Sequence, residues 1–268
     1  MRVRVPASVA NLGSGFDVLA LAVDLWLEVE AEPAEAPDWT FEGEGAEILA
    51  AEPNIFSAAP MRGRVLNGIP LGVGLGSSAA ARLALGALRG MDVEAALAWA
   101  TTEEGHPDNV AAAAHGGVRL LSAGELSLPT PDVEVALLVA ADPASTDAAR
   151  ALLPPKVPLA DAVFNAGRTA LFVHALHDRD YRLLGDAMDD RLHQPQRRPL
   201  YPWTAAVIDA ARCAGAYGAS ISGAGPSVVA LCPRGAGPGV ARAMATTAPD
   251  RGRAMVTEIA AGGMRVER

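Results

Sequence analysis

The sequence predicts an α+β protein, and three observations support that prediction. Residues 133–140 (VEVALLVA) form an apolar run with the length and composition of a buried strand. Residues 161–180 (DAVFNAGRTALFVHALHDRD) repeat apolar side chains with the period of an amphipathic helix. Strand-like and helix-like segments do not alternate regularly along the chain, which disfavours a parallel α/β sheet.

The first half of the chain begins with strand patterns. Residues 2–5 (RVRV) alternate, and we expect Pro6 to stop that strand. Residues 25–32 (LWLEVEAE) alternate again, and residues 31–54 are acidic and proline-containing, as in surface strands or loops. A helix is predicted from Ser77 to about Arg89, with Ser77 or Ser78 as its cap. A second helix follows, with Asp92 as its N-cap, and residues 106–109 (HPDN) end it.

The second half is predicted to be richer in helix. Residues 141–154 are expected to form a loop and a short helix, and residues 181–194 and 204–216 two further helices. Residues 217–233 (YGASISGAGPSVVALCP) place a glycine-rich turn against an apolar strand, and a strand closes the chain. We expect one boundary near residue 130, which divides the chain into domains of residues 1–130 and 131–268.

Composition excludes several classes of protein. The chain has 268 residues, half of them hydrophobic, and a formal net charge of −9, which disfavours a nucleic-acid-binding surface. The N-terminus becomes glycine-rich before any sustained apolar run, so we expect neither a signal peptide nor a membrane span. Cys213 and Cys232 lie in apolar stretches and are expected as reduced core residues. The expected location is cytoplasmic.

A glycine-rich stretch, residues 70–90 (PLGVGLGSSAAARLALGALRG), raises a chemical question. Alternating glycines followed by a helix start are typical of a site for anions, because the first N–H groups of a helix have no partner within it. The alternative interpretation is a tight packing turn in an alanine-rich protein. A Walker loop would add a lysine, but the only lysine of the chain is Lys156. A phosphate held here would need main-chain dipoles, a metal ion or arginine.

Three glycine motifs follow one another along the chain: VPASVANLGSGFD, PLGVGLGSSAAA and GASISGAGPSVVAL. In order and spacing they resemble the motifs of the galactokinase, homoserine kinase, mevalonate kinase and phosphomevalonate kinase (GHMP) superfamily, whose phosphate loop binds ATP without a Walker lysine. Within that superfamily, ANLGSGFD, EGHPDNVA, the stretch from STDAAR to FNAGR, and DRLHQPQRRPLYP are similar to homoserine kinases. The resemblance implies an N-terminal domain like ribosomal protein S5 and a C-terminal ferredoxin-like domain, with the active site between them.

The resemblance also implies an activity, transfer of phosphate from ATP to the hydroxyl of L-homoserine in threonine biosynthesis, with Mg²⁺ as cofactor. It places ATP against a set of loop residues: Pro70, Leu71, Gly72, Val73, Gly74, Leu75, Gly76, Ser77, Ser78, Ala79, Ala80, Ser222 and Gly223. Magnesium would lie on Ser77 or Ser78 and on Glu104, which is favoured over Glu103 by its place in the motif. A homodimer is common in this family and is expected here.

For the amino acid, the resemblance implies Asn11 and Asp17 as binding residues, with Asp17 on the ammonium group. Arg150 and Arg197 would clamp the carboxylate, since arginine offers a planar fork; Arg191 and Arg198 are alternatives to Arg197. Asn109 would bind the hydroxyl or the amino group.

No residue is assigned as the catalytic base. Asp108 is the nearest candidate, although it could instead orient Asn109, and Thr146 is a further position close to the hydroxyl.

Three rival hypotheses remain. The first is another GHMP kinase, acting on mevalonate or a sugar, against which EGHPDN and HQPQR argue. The second is a nucleotide-binding relative without catalysis, which damaged magnesium or phosphate residues would favour. The third is a dinucleotide-dependent oxidoreductase, whose GxGxxG pattern GVGLGS does not match.

Overall fold

The computed structural model describes residues 1–248 and 250–267 of the chain. Within them, strands and helices form two β-sheets with helices packed against both. The strands are β1 (Arg2–Ala10), β2 (Leu19–Pro33), β3 (Asp38–Gly43), β4 (Met61–Asn67), β5 (Val118–Leu121), β6 (Glu125–Leu128), β7 (Glu134–Ala140), β8 (Gly218–Ile221), β9 (Val228–Cys232), β10 (Gly252–Thr257) and β11 (Arg265–Glu267). The helices are α1 (Ala46–Ala51), α2 (Ser77–Leu88), α3 (Val93–Glu104), α4 (Pro107–His115), α5 (Thr146–Ala151), α6 (Leu159–Asp178), α7 (Leu184–Ala187), α8 (Gln194–Arg197), α9 (Thr204–Cys213) and α10 (Gly237–Thr247), with a 3₁₀ turn at Tyr181–Leu183.

The first sheet has seven strands, in the order β11-β1-β2-β4-β3, with β5 and β6 added beside β2. Among the described strands of this sheet, β3 and β4 pair in parallel and the other pairs are antiparallel. The last strand of the chain, β11, pairs with β1, so the C-terminus returns to the sheet built by the first residues. The domain boundary near residue 130 stays a prediction.

The second sheet is antiparallel, in the order β10-β7-β9-β8. With α9 and α10 it forms the β-α-β-β-α-β arrangement expected of a ferredoxin-like domain. Strand β7 is buried on both faces, because Val135, Leu137 and Val139 join the main core while Ala136 and Leu138 pack on the α9 and α10 side. This double burial explains why its sequence is apolar without alternation.

The alanine-rich helix α2 packs directly on α3. A Cβ atom on Gly86 would lie 3.1 Å from the Cβ of Ala96, so small side chains on both helices are what permit this close approach. The packing fixes the direction of α2 and therefore the position of the glycine loop that precedes it.

Several element predictions were wrong, each for a local reason. Strand β1 runs through Pro6, which lies at a shift in register between Pro6 and Ala7, where a ladder hydrogen bond is not needed. The cap of α2 is Gly76, at φ 68°, and neither predicted serine caps it through its side chain. Cys213 is exposed, whereas Cys232 is buried as expected.

The helix predicted over residues 181–194 is broken into short turns. The carboxylate of Asp190 accepts hydrogen bonds from the N–H groups of Leu192, His193 and Gln194, which replaces helical pairing with a turn. Helices α1 and α10 were not predicted. The predicted N-cap Asp92 is confirmed, since its side chain accepts from Ala95 N at 2.8 Å.

Candidate active site

The glycine loop between β4 and α2 turns its carbonyl groups into the protein. Gly72 O accepts from Ala144 N at 2.8 Å and Leu75 O from Ser8 N at 3.2 Å. Gly74 O accepts from the Ser222 hydroxyl at 2.6 Å. Positive φ angles at Gly72, Gly74 and Gly76, of 68°, 83° and 68°, allow this winding path.

The N–H groups of the same loop differ from its carbonyl groups in their hydrogen bonding. Over the part of the chain that the structure describes, the main-chain N–H groups of residues 74–79 donate no hydrogen bond. These groups include the first turn of α2, where the helix dipole adds partial positive charge. The loop is therefore a row of donors that can receive an anion such as a phosphate.

The predicted ATP-binding residues divide into two groups in the structure. The first group is buried and anchors the loop: Pro70, Val73, Leu75, Ala79 and Ala80. The second group is accessible to solvent. Within it, the exposed residues are Gly72 and Ser78, and the partly exposed ones are Leu71, Gly74, Gly76 and Ser77. Ser222 and Gly223 lie behind the loop. A Cβ atom on Gly74 would lie 2.3 Å from Ser222 O, so the third motif supports the loop from its rear.

The two predicted magnesium ligands meet at one arginine. Arg82 Nη1 contacts both the hydroxyl of Ser78 and Oε1 of Glu104. Glu103, the alternative to Glu104, is exposed. Arg82 was not singled out from the sequence; its spacing of four residues from Ser78 on a helix was the available signal.

Asn109 and Asp108 begin helix α4 beside the glycine loop. The Ser8 hydroxyl donates to Asn109 Oδ1 at 2.9 Å, and a Cβ atom on Gly76 would lie 3.3 Å from that same oxygen. Asp108 is only 3% exposed. Burial raises the pKa of Asp108, and the nearby carboxylate of Asp17 adds to the rise.

The first signature loop has an unusual backbone. Asn11, Leu12 and Asp17 have φ angles of 73°, 45° and 57°, a region that few residues other than glycine adopt. Asn11 holds this shape, because its Nδ2 donates to Gly223 O at 2.8 Å and its Oδ1 accepts from Asp17 N at 3.0 Å. Its amide is thus engaged within the protein, and it braces the loop.

Asp17 and Arg150 form a bidentate ion pair. The guanidinium nitrogens donate to the two carboxylate oxygens at 2.8 and 3.0 Å. The side chains remain 35% and 38% exposed, so the pair faces the solvent side of the site. The predicted substrate residues Asp17 and Arg150 are therefore brought together, 133 residues apart in sequence.

Arg197 lies deeper, next to Phe16. It is 1% exposed, and its Nη1 donates to Gly223 O at 2.9 Å and contacts His193 Nδ1 at 3.0 Å. The Phe16 ring lies 5.6 Å from the Arg197 guanidinium and 5.3 Å from that of Arg150. Burial and the charge of Arg150 lower the pKa of Arg197.

The alternatives to Arg197 lie elsewhere. Arg191 is half exposed and pairs with Asp161 at 3.4 Å, and Arg198 is exposed. Thr146 is the exposed first residue of α5, one turn before Arg150, and makes no side-chain hydrogen bond to the described residues. Arg197 therefore has a hydrogen bond to the predicted residue Gly223, whereas the Thr146 side chain has none within the described part of the chain.

His193 connects two parts of this site. Its Nε2 lies 2.7 Å from Gly13 O, which assigns the ring proton to Nε2 and leaves Nδ1 to accept from Arg197. Burial lowers the pKa of His193, consistent with a neutral ring. These contacts give His193 a structural role, because its ring joins the first signature loop at Gly13 to Arg197.

Within the described residues, no three His, Cys, Asp or Glu side chains cluster as metal ligands. The helices described include none both long and apolar enough to cross a bilayer.

The chain is similar to known proteins over nearly its full length. A family model described as GHMP kinases C terminal matches residues 172–250. A homoserine kinase of Thermus thermophilus is 41% identical, with 97% of each chain covered. A homoserine kinase of Moorella thermoacetica is also 41% identical, with 96% of each chain covered.

Solved structures show the same likeness. The crystal structure of a homoserine kinase from Cytophaga hutchinsonii superposes with a TM-score of 0.84 at 30% identity, covering 100% of this chain and 97% of that one. A mevalonate kinase of L. major superposes with a TM-score of 0.74 at 15% identity, covering 98% and 97%, which supports the fold alone. The expected GHMP-kinase fold is thereby confirmed.

Proposed function

The chain belongs to the homoserine kinase family, and from that premise we propose that it phosphorylates L-homoserine with ATP at the site built by its three glycine motifs. It is an ATP-dependent kinase that transfers a phosphoryl group to an alcohol, giving O-phospho-L-homoserine for threonine biosynthesis. One observation carries the assignment of the site: the main-chain N–H groups of residues 74–79 have no hydrogen-bond acceptor among the described residues.

The triphosphate would lie along that row. Main-chain N–H groups that are already oriented stabilise negative charge without having to reorganise during the reaction. The carbonyls of Gly72, Gly74 and Leu75 are held by Ala144, Ser222 and Ser8, so the donors cannot easily turn away. The loop would therefore keep its N–H groups oriented toward the phosphates.

Magnesium fits the oxygen atoms of Ser78 and Glu104. Both are hard oxygen ligands, and both already converge on one cationic nitrogen, Arg82 Nη1. Mg²⁺ commonly takes one or two protein oxygens and completes its shell with phosphate and water, so the absence of a larger acidic cluster in the described residues is compatible with it. When bound, the ion would neutralise charge on the phosphates.

Homoserine is a zwitterion, and the Asp17–Arg150 pair has the matching charges. We propose that the ammonium group binds Asp17 and the carboxylate binds Arg150, so one internal ion pair is replaced by two pairs with the substrate. Arg197 would support this clamp from the interior of the protein, through its hydrogen bond to Gly223 O and its contact with the Phe16 ring. Asn11 would act by fixing the position of Asp17.

Helix α4 would connect the donor and acceptor halves of the site. Asn109 lies against Gly76 of the phosphate loop, while Asp108 lies within electrostatic range of Asp17 and Arg150. Asn109 can therefore orient the substrate hydroxyl toward the phosphate. The raised pKa of Asp108 suits a group that accepts the hydroxyl proton, although phosphoryl transfer depends mainly on positioning and electrostatics. A contact of Thr146 with the hydroxyl stays a prediction.

The proposal is tested by measuring ADP release with ATP and Mg²⁺ and a panel of acceptors. L-Homoserine should be phosphorylated. 4-Hydroxybutyrate lacks the ammonium group and 3-aminopropanol lacks the carboxylate, so both should react with a strongly reduced kcat/KM. Turnover confined to mevalonate would overturn the substrate assignment, and turnover of all three small alcohols at equal rates would overturn the charge-matched clamp.

Three further predictions accompany this proposal. The active site would lie between domains of residues 1–130 and 131–268, the protein would form a homodimer, and it would act in the cytoplasm. Size-exclusion chromatography with light scattering measures the oligomeric state directly.

A further inference from the structure

Arg82 occupies a position that the proposed activity leaves unexplained. It lies on α2 one turn after Ser78, and its Nη1 contacts Ser78 Oγ and Glu104 Oε1 together. The side chains of Arg82 and Glu104 are only 25% and 20% exposed. The same nitrogen thus holds both oxygens that the proposed site assigns to magnesium.

The direction of this side chain brings its charge to the start of the helix. Helical side chains lean toward the N-terminus, and four residues of α-helix span about 6 Å, which an extended arginine can bridge. The guanidinium therefore reaches the N-terminal end of α2, where the N–H groups of residues 77–79 have no acceptor among the described residues. Arg82 Nε is buried and has no hydrogen-bond partner among the described residues.

We propose that Arg82 is an exchangeable cation: in the nucleotide-free protein it satisfies Ser78 and Glu104, and when the metal–nucleotide complex takes these oxygens it turns to the phosphates. This inference rests on the proposed nucleotide and magnesium site. Two cations do not share the same pair of oxygens at close range, because their mutual repulsion is only weakly screened in a partly buried site. The displaced guanidinium then pairs its planar donors with phosphate oxygens.

Two consequences of the exchange have opposite signs. A divalent ion alone binds weakly, because it must displace Arg82 without supplying phosphates to receive it. A nucleotide with the metal binds more tightly than the loop alone would permit, because Arg82 supplies the cationic side chain that a Walker loop takes from lysine. Removing the arginine should therefore strengthen the first interaction and weaken the second.

Isothermal titration calorimetry tests both on one set of proteins: the wild type, Arg82→Met, Arg82→Gln and, as a matched control, Arg242→Met. Arg242 is an exposed arginine on α10, in the second sheet's helical layer. Each protein is titrated with MnCl₂ alone and with a non-hydrolysable ATP analogue at saturating Mg²⁺. We expect Arg82→Met and Arg82→Gln to bind Mn²⁺ about tenfold more tightly and the analogue about tenfold more weakly, the size of one charge-assisted hydrogen bond.

Only opposite shifts of the two dissociation constants support the exchange. If both constants are unchanged, or both weaken, Arg82 is a structural residue and the inference is overturned. A separate outcome is that the wild type binds the analogue and phosphorylates homoserine, while the Arg82 variants have the same two dissociation constants as the wild type. In that case this inference fails and the proposed function stands. If the wild type itself binds no analogue, both fail. Thermal melting of each variant confirms folding, and the glutamine variant provides the same test if the methionine variant does not fold.

Discussion

Replacing Gly74 with alanine should displace the phosphate loop from its support. A Cβ atom on Gly74 would lie 2.3 Å from Ser222 O, about 1.1 Å short of the 3.4 Å at which ordinary contact begins. The atom on the other side is main-chain carbonyl oxygen, as is Gly225 O at 2.9 Å, so no flexible side chain can move aside. The loop and the third motif must separate.

The expected cost has three contributions. An alanine at φ 83° costs about 1–2 kcal/mol, and the lost hydrogen bond from Ser222 to Gly74 O costs about 1 kcal/mol. Overpacking adds about 1–3 kcal/mol. We expect Gly74→Ala to lower the free energy of unfolding by about 3–6 kcal/mol, and a loop displacement near 1 Å to lower kcat/KM for ATP about 100-fold.

Gly90→Ala is the matched control. Gly90 has nearly the same φ, 85°, yet its Cβ would meet no atom of the described residues within 4 Å. The substitution there carries the backbone cost alone, about 1–2 kcal/mol. Urea unfolding followed by tryptophan fluorescence gives the stabilities, and a coupled ADP assay gives kcat/KM. Equal unfolding free energies and equal kcat/KM for the two variants would refute the reasoning, because the contact with Ser222 would then contribute nothing.

Three further predictions concern the charged residues. Arg150→Gln should raise KM for homoserine at least tenfold while changing the free energy of unfolding by less than about 1 kcal/mol, since the pair with Asp17 is over a third exposed; kinetics and urea unfolding together check this. Arg197→Lys should lower the free energy of unfolding by about 3–5 kcal/mol, because the shorter lysine lacks the planar guanidinium that bonds Gly223 O and His193 and leaves these buried groups without their partner; a melting temperature equal to that of the wild type would contradict it. Asp108→Asn should lower kcat and alter the pH dependence of stability: burial raises the pKa of Asp108 in the folded protein, so its stabilising contribution is present below the unfolded pKa and lost as pH rises through the folded pKa. Melting temperatures across pH should fall less steeply with rising pH in the variant, and parallel curves would speak against a buried carboxyl with a raised pKa.

Sequence reasoning succeeded where a local stretch of chain determines its own geometry. The glycine loop, the N-cap at Asp92 and the double-sided strand β7 are each specified by residues within a few positions of one another. Positive φ angles at Gly74 and Gly76 can be inferred from glycine itself, since other residues adopt them at a cost. The proposal that this loop binds phosphate rests on the same local pattern.

What the sequence could not provide was the set of partners. Asn11 and Asp17 were both expected to bind substrate. In the structure, the Asn11 amide donates a hydrogen bond to Gly223 O and accepts one from Asp17 N. Gly223 is 212 residues away in sequence, so no local pattern reveals that contact. The interruption of the predicted helix at residues 188–193 also depends on tertiary structure. The backbone at Met188 packs so closely on Gly13 that a Cβ atom on Gly13 would lie 2.0 Å from Met188 O.

The charges of the site have a common arrangement that follows from these distant contacts. Each carboxylate expected to bind a cationic ligand already holds an arginine: Asp17 holds Arg150, and Glu104 holds Arg82. In a chain with a net charge of −9, unpaired carboxylates in a narrow site would repel one another and would raise each other's pKa. Internal pairing removes that cost in the ligand-free protein. Ligands of mixed charge can then replace an internal pair, whereas a lone cation or a lone anion leaves one internal charge without a partner. The preference for a zwitterion and for a metal-bound nucleotide would therefore have one physical origin.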